Sequence, residues 1–460
     1  MPLAGRRVLV AGAGVTGESV AGALVEAGAL VTVTDERAEQ LDRLAATVAV
    51  TCVPGLTSPP EGTDLVVTSP GWRQNTPVLR AAADAGIEVI GDVELAWQLG
   101  QARQRPPVWL AVTGTNGKST TVSMLAEILV AAGRHAVACG NVGFAVTDAV
   151  RSGYEVLAVE LSSFQLHWSR GLAPYAAVVL NVAEDHLDWH GSMSAYAEAK
   201  GSIYDRTRLA VYNAQDRYSG TLAHRRAPGD ARRVGIVPGP PAQGELGVDS
   251  GMLVDRAFGE DTQPVSLCPT SEIRPAGPHN VVNALAAAAL ARGYGVSAEA
   301  VREGLLAFRP EDHRATLVAE VGGVRYVNDS KATNPHAAGG SLAAYDHVVW
   351  IAGGQLKGAS PETVDALVAE HAGRLRGVVV IGADAGVIAD AVARHAPDIP
   401  LIHPDPGDDG VMAAAVGAAS AMARSGDVVL LAPAAASLDM FRSYAHRGDA
   451  FAAAVRSLRG

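Results

Sequence analysis

The stretch VWLAVTGTNGKST, residues 108 to 120, constrains the fold of this chain more than any other. A continuous apolar run, a turn holding two glycines, and a lysine with hydroxyls opening an amphipathic helix give the order strand, loop, helix. A strand apolar at every position needs cover on both faces, so it belongs inside a parallel sheet flanked by helices. Backbone N–H groups of such a loop cradle phosphates, Lys118 can bridge the outer ones, and the Ser119 hydroxyl can hold magnesium. The general pattern G-x-x-x-x-G-K-[ST] is broken, because its first glycine would fall at Val112 and Gly114 stands only three residues before Gly117. A solvated loop with a stray lysine is the bland alternative; the order of the elements argues against it.

The same alternation recurs along the chain. RVLVA at 7 to 11, VTVTD at 31 to 35, DLVVTSPG at 64 to 71 and EVIGD at 88 to 92 predict strands of a first α/β domain over residues 1–99. GQARQRPP, 100 to 107, reads as a linker. VWLAVTG, VLAVELSS at 156 to 163, AAVVLNV at 176 to 182 and LAVYN at 209 to 213 predict a second domain, 107–307, closed by the helix-like GPHNVVNALAAAALARGYG and a shorter helix. HVVWIAGG, GVVVIGAD, IPLIHP and DVVLLAPAA restart the pattern in a third, 308–460. The expected fold is therefore α/β in three domains: Rossmann-like at the N-terminus, a P-loop ATPase-like parallel sheet in the centre, and Rossmann-like again at the C-terminus. A length of 460 residues agrees, being more than one hydrophobic core serves.

With 48% apolar and 18% charged residues the chain can bury large cores, which excludes dominant disorder. A formal net charge of −11 removes the electrostatic footprint of a nucleic-acid binder and leaves room for small anionic ligands at local positive sites. Cys52, Cys139 and Cys268 form no C-x-x-C pair and read as buried free thiols. The apolar stretch after Arg6 and Arg7 runs at once into glycines and a strand, unlike a signal peptide, and no apolar run approaches the ~18 residues of a membrane span. A cytoplasmic protein without membrane insertion is expected.

Further motifs lie at strand ends. GAGVTG, 12 to 17, follows a strand and has Asp35 about twenty residues on. Read alone it says nicotinamide dinucleotide and motivates an oxidoreductase; the same backbone recognises any diphosphate, a UDP-sugar's included. A chance glycine-rich turn is its bland reading. Glu160 ends a strand in ELSSFQL, and NVAEDHLDWH carries Glu184, Asp185, His186, Asp188 and His190; with the phosphate loop these suggest a magnesium site, although a lone carboxylate or histidine is more often a surface or hydrogen-bonded residue than a ligand. Lys200, in SAYAEAKGSIY, reads as a solvated helix face. His279, Asn280 and Asn283 are either cap and core amides or a grip on a nucleotide. NDSKATNP at 328 to 335, GGQLKG at 353 to 358 and APAAASLDMF at 432 to 441 follow apolar strands, and their bland reading is turn chemistry, with Ser437 and Asp439 starting a helix. A non-catalytic nucleotide switch would keep the phosphate loop but leaves the other domains without employment.

TGTNGKST, ELSSFQL, EDHLD, HNVVN, NDSKATN and SLDMF, in this order over nearly the whole chain, resemble the ATP-dependent Mur ligases of bacterial cell-wall synthesis. TGTNGKS is shared with related ligases, folylpolyglutamate synthetase included, whereas ELSSFQL and NDSKATNP resemble the member that adds glutamate, and no D-N-P-R run of the diaminopimelate-adding relative is present. The resemblance implies that an acyl phosphate forms from ATP and that the substrates are UDP-N-acetylmuramoyl-L-alanine and glutamate, with glutamate of the D configuration. It implies that Gly14, Val15, Thr16 and Gly17 approach the UDP-sugar, with Asp35, Glu36, Arg37 and the turn Ser69, Pro70, Gly71 nearby. Gly114, Thr115, Asn116, Gly117, Lys118, Ser119 and Thr120 would hold ATP, completed by Asn280, Asn283, Arg314, Asp329 and Lys331. Ser119 and Glu160 match one Mg2+ position and His186 a second; Lys200 matches the lysine that the family carbamylates. Lys118, His186 and Lys200 would be the catalytic groups, and Asn141 would lie between sugar substrate and ATP. Thr333, Lys357, Ser437 and Tyr444 would bind the amino acid, in a pocket that departs from the family pattern at Ala435, where cysteine is frequent, and at Tyr444, where phenylalanine is common. A monomer is expected.

Overall fold

The computed structural model of the chain describes residues 3–141, 143–259, 263–404 and 410–458. Among these residues three sheets form, in part from the apolar runs read above. The first contains β1 (Arg7–Ala11), β2 (Leu30–Thr34), β3 (Thr51–Cys52), β4 (Leu65–Thr68) and β5 (Glu88–Gly91), all parallel, in the order β3-β2-β1-β4-β5. The second contains β6 (Val108–Thr113), β7 (Ala136–Gly140), β8 (Val156–Glu160), β9 (Ala176–Val179), β10 (Leu209–Asn213), β11 (Arg232–Ile236), β12 (Glu245–Asp249), β13 (Met252–Asp255) and β14 (Val265–Pro269). Its order is β14-β13-β12-β11-β10-β9-β6-β8-β7, parallel except where β13 pairs antiparallel with both β12 and β14. The third contains β15 (Thr316–Val321), β16 (Val324–Asn328), β17 (Val348–Gly353), β18 (Leu375–Ile381), β19 (Leu401–Ile402) and β20 (Val428–Leu431), in the order β15-β16-β20-β17-β18-β19, antiparallel only between β15 and β16.

Each order reverses beside one strand, and in open α/β sheets ligands bind beyond the carboxyl ends of the strands at that point. In the first sheet the reversal lies between β1 and β4, in the second around β6, and in the third around β17 and β20. The phosphate loop thus emerges between the ends of β8 and β9, and the ends of β16, β20 and β17 stand side by side.

Small residues let the helices sit close. Ala284 to Ala291 of the helix Pro278–Gly293 are all fully buried. A Cβ at Gly304 would come within 2.3 Å of Ile128 Cα, so only glycine lets the helix Ala298–Ala307 approach the helix Lys118–Ala131. Gly304→Val forces those backbones apart; overpacking of this kind costs about 1–3 kcal/mol.

The chain divides into two compact units. One comprises the residues up to Val182, Gly191–Pro269 and Asn283–Ala307; the other comprises Ala183–His190, Thr270–Val282 and the residues from Phe308 on. The first two sheets therefore share a unit, and the helix Asp92–Gln101 extends to the start of the expected linker at 100 to 107. The ELSSFQL helix joins the two sheets, with Gln165 Nε2 donating to Asp92 Oδ2 at 3.1 Å and the N–H groups of Arg170 and Gly171 donating to Glu94 Oε2 at 3.0 and 2.8 Å. Cys139 and Cys268 are buried as expected, but Cys52 is only half-buried.

Candidate active site

In the first sheet, Gly12 (φ 111°) and Gly17 make the tight turn after β1: a Cβ on Gly17 would fall 1.8 Å from Gly12 O, and one on Gly12 2.5 Å from Ser69 Oγ. A Cβ on Gly14 would meet nothing within 4 Å, which leaves open space above the start of the helix Val15–Glu26. The Ser69 N–H donates to Ala11 O at 2.9 Å, bringing the expected Ser69 turn beside the glycine loop. Asp35 is buried, with Oδ2 accepting from Ala13 N at 2.9 Å and Oδ1 from Arg37 N at 3.0 Å. Burial alone would raise its pKa, but the N–H donors of Ala13 and Arg37 and the Arg37 guanidinium outweigh it and hold the carboxyl below its usual range. Asp35 Oδ2 thus braces the glycine loop, while Oδ1 holds the backbone at Arg37.

In the second sheet, Gly117 caps the helix Lys118–Ala131 in the left-handed conformation (φ 84°), aiming the first-turn N–H groups into the loop. Asn181, just after β9, ties the loop down: its carbonyl accepts from Thr115 N at 2.9 Å and its Oδ1 from Asn116 N at 2.9 Å. Lys118 Nζ donates to Gly114 O (3.1 Å) and Thr115 O (2.9 Å). Lys200 overturns its reading as a solvated face. It is 2% exposed, its ammonium donates to Gly114 O at 2.8 Å and lies 4.6 Å from the Tyr196 ring centroid, and Tyr196 OH pairs with Thr115 Oγ1 at 3.1 Å. Glu160, at the end of β8 and buried, accepts from Asn141 Nδ2 at 3.0 Å. A Cβ on Gly117 would lie 2.3 Å from Asn283 Oδ1, so the structure also brings Asn283 to this loop.

In the other unit one pocket gathers Glu184, Asp185, His186, Thr333, Asn334 and Lys357. His186 (φ 53°) and Lys357 (φ 51°) hold backbone conformations that L residues rarely adopt, a mark of functional sites. Asp185 Oδ1 accepts from His186 N at 3.0 Å, and Glu184 Oε2 from Thr363 Oγ1 at 2.9 Å. Among the described residues no group of three or more His, Cys, Asp or Glu is placed to hold a metal ion, and the side chain of Asp188 lies outside the described residues.

Asp329 is buried, accepting from Ser341 Oγ and from Ala315 N (3.2 Å); burial raises its pKa and the Ser341 hydroxyl opposes it. Lys331 Nζ stands 3.7 Å from the Tyr444 ring centroid, and Arg314 Nε donates to Glu311 Oε2 at 3.0 Å. Ser437 and Tyr444 are not among the residues lining the pocket. Ser437 starts no helix either: its carbonyl closes a turn on Met440 and Phe441, Asp439 Oδ2 accepts from Ala383 N at 2.8 Å, and the helix Tyr444–Ser457 begins later, capped by Ser443.

Two residues of this architecture escaped the sequence reading. Asn181 is one. Arg447, fully buried, is the other: it donates to Ser330 O (2.9 Å), Ala435 O (3.0 Å) and Gly353 O (3.4 Å), tying together the ends of β16, β20 and β17, and burial lowers its pKa to about 10.

These loops match known families in order. Residues 6–91 match the Mur ligase MurD-like N-terminal domain, 112–291 the Mur ligase middle domain, and 313–435 the Mur ligase glutamate ligase domain. UDP-N-acetylmuramoylalanine--D-glutamate ligase of Streptomyces avermitilis is 54% identical, with 99% of this chain and 98% of that protein covered. The enzyme of the same name from Thermobifida fusca is 54% identical over the full length of both. Among solved structures, UDP-N-acetylmuramate-alanine ligase MurC of Thermotoga maritima (TM-score 0.58, 20% identity, 98% and 99% covered) and MurF of Acinetobacter baumannii (TM-score 0.59, 18% identity, 93% and 90% covered) share the fold. The chain, with its two glycine loops and its three strand-end loops on the last sheet, belongs to the Mur ligase family.

Proposed function

We propose that this chain joins D-glutamate to the carboxylate of UDP-N-acetylmuramoyl-L-alanine in peptidoglycan precursor synthesis, cleaving ATP to ADP and phosphate. It is an ATP-dependent ligase that forms a C–N bond, and its family uses ATP and Mg2+. The observation that carries the substrate assignment is the 54% identity, over 99% or more of this chain, to two ligases named for that reaction. The alternative of an oxidoreductase is not favoured, because the relatives that match this chain over its full length are ligases.

A carboxylate is a poor electrophile, so its oxygen first attacks the γ-phosphorus of ATP and ADP departs. The amine nitrogen then attacks the acyl phosphate carbon, the C–O bond to phosphate breaks with its electron pair leaving on phosphate, and the nitrogen sheds its proton. Negative charge builds on oxygen in both steps. Lys118, resting on loop carbonyls, turns its ammonium to the phosphoryl oxygens, where one well-aimed donor stabilises the transition state by about 3–4 kcal/mol.

The Ser119 hydroxyl and the Glu160 carboxylate are hard oxygen donors suited to Mg2+, and His186 is the residue for a second ion. When bound, the metal neutralises charge on the phosphate oxygens. Lys200 is proposed to be carbamylated, because a nearly fully buried ammonium is costly and a carbamate would turn it into an anionic oxygen ligand. The N–H groups of the 12–17 loop would take the diphosphate of the UDP-sugar. Thr333 and Lys357 in the pocket, with Ser437 and Tyr444, are assigned to the amino acid: Lys357 supplies the cation that a second carboxylate needs.

The test is phosphate release with ATP, Mg2+, UDP-N-acetylmuramoyl-L-alanine and either D-glutamate, L-glutamate or D-glutamine, with the product identified by mass. Release that depends on D-glutamate is expected; equal efficiency with all three would overturn the assignment.

A further inference from the structure

Arg447, in the helix Tyr444–Ser457, carries a positive charge where no solvent reaches it. Burial lowers its pKa to about 10, still far above physiological pH, so the guanidinium remains a cation. The charge of Asp439 acts on it only through space, and Asp439 Oδ2 accepts instead from Ala383 N. Among the described residues the fork of Arg447 donates to Ser330 and to backbone carbonyls alone: Nε to Ser330 Oγ (3.0 Å), Nη2 to Ser330 O (2.9 Å), and Nη1 to Ala435 O (3.0 Å) and Gly353 O (3.4 Å). A buried charge answered by dipoles is costly, and a methionine of similar shape would avoid that cost. A methionine cannot grip three chain segments with one planar fork.

The gripped segments are those that carry the amino-acid assignment. Thr333 follows Ser330, Lys357 follows Gly353 and Ser437 follows Ala435, each by at most four positions. The Ser330 hydroxyl extends the grip to Tyr444, donating to its carbonyl at 2.7 Å. Just beyond the fork, Gln355 N donates to Ala436 O at 2.9 Å and Ala436 N to Gln355 O at 2.8 Å, which ties the segment leading to Lys357 to the one leading to Ser437. Lys357 leaves this tie in the left-handed conformation (φ 51°), which persists only where the surroundings over-determine it. We infer that Arg447 is a positioning residue for amino-acid selection, whose fork holds these strand-end loops so that Lys357 meets the second carboxylate of glutamate and glutamine is refused. This rests on the assignment of Lys357 to that carboxylate in the proposed function. A binding group must be held to within about 0.5 Å by its supporting shell. A charge-assisted bond lost through misplacement lowers affinity by about tenfold to a hundredfold.

The test is the ratio of kcat/KM for D-glutamate to that for D-glutamine in the full chain, with ATP and UDP-N-acetylmuramoyl-L-alanine saturating. The native ratio is expected to be about tenfold or more. Arg447→Lys, which keeps the charge without the fork, and Arg447→Ala should bring it to within about threefold of unity. Guanidinium ion at a non-denaturing concentration should restore part of the ratio in Arg447→Ala. Ser330→Ala leaves the guanidinium in place and removes one partner, so it decides the matter even if the arginine variants do not fold; its ratio should fall about threefold. A merely structural role would lower both efficiencies together and keep the native ratio in every folded variant, which would overturn the inference. A native protein without preference for D-glutamate would overturn the proposed amino acid as well, whereas a native preference that the variants retain would overturn the role of Arg447 alone.

Discussion

At the end of β1 the glycine loop is braced by a carboxylate, whereas at the end of β6 the glycine loop has two lysines donating into its carbonyls. Both follow a buried parallel strand and open a helix whose N–H groups face outward, so either can take a diphosphate. The first offers backbone donors, closed by the approach of Gly17 to Gly12 O. The second adds Lys118, Lys200, Ser119 and Glu160, groups that can respond when charge moves. A loop of the first kind binds ground and transition states alike; one of the second kind can hold the transition state more tightly. On the proposed assignment, the same backbone device serves as an anchor in one place and in a reaction in the other.

Lys118→Ala tests this contrast most severely. It should cut kcat by about 10²–10³ and leave the KM for the UDP-sugar within about threefold, because only the central loop meets developing charge. An equal rise in both substrates' KM at unchanged kcat would erase the distinction between the loops.

Lys200→Ala should come next, lowering kcat by about a hundredfold, the scale at which a misassembled metal environment acts. Formate or acetate should restore part of the activity if a carbamate oxygen is what is missing. Full activity of the alanine variant, or rescue by a short amine instead of a short acid, would show that the ammonium seen on Gly114 O is the working form.

Gly17→Ala addresses the first loop. A Cβ there would sit 1.8 Å from Gly12 O, so the backbone must move. The KM for the UDP-sugar should rise about tenfold while the KM for ATP and kcat hold, since overpacking of about 1–3 kcal/mol falls on a binding loop alone. A matching fall in kcat would mean that the first loop takes part in chemistry.

Much of this contrast was legible in the sequence, because parallel strands buried on both faces read as unbroken apolar runs and their carboxyl ends carry the glycines, Glu160 and the NDSK and GGQLK segments. Strand β3, of two residues, is too short to carry a period, whereas β19, equally short, lies within the IPLIHP run. The antiparallel β12 to β14 are broken by turn residues and by an irregular register at Leu253 and Val254. Lys200 and Arg447 were hidden for a different reason: a basic residue on a helix reads as solvated, and nothing local says that a carbonyl from a distant strand end will meet it. Asn181 gave a weak signal, a polar residue closing AAVVLNV, and its partner loop lies 65 positions away. Ser437 and Tyr444 are implied by the resemblance alone, since the turn at 437 and the pairing of Tyr444 with Lys331 come from tertiary packing.

The smallest expected effect belongs to Asp35→Asn. The carboxylate accepts from Ala13 N with one oxygen and from Arg37 with the other; an asparagine keeps one acceptor and turns the other into a donor facing a donor. The glycines and the helix start remain, so the KM for the UDP-sugar should rise only about threefold to tenfold, less than the full 1.5–3 kcal/mol of a charge-assisted bond, with kcat unchanged. The pH dependence has a definite sign. The folded carboxyl titrates below its ordinary value of 3.8, so its contribution to stability is fully present above that value and is lost as pH falls through the lower, folded one. Between pH 5 and 8 Asp35 therefore stays ionised, and the ratio of variant to native KM should be flat across that range. A ratio that shrank toward pH 5 would mean that the carboxylate takes up a proton there, and that the first loop, like the second, is governed by a group that titrates in the working range.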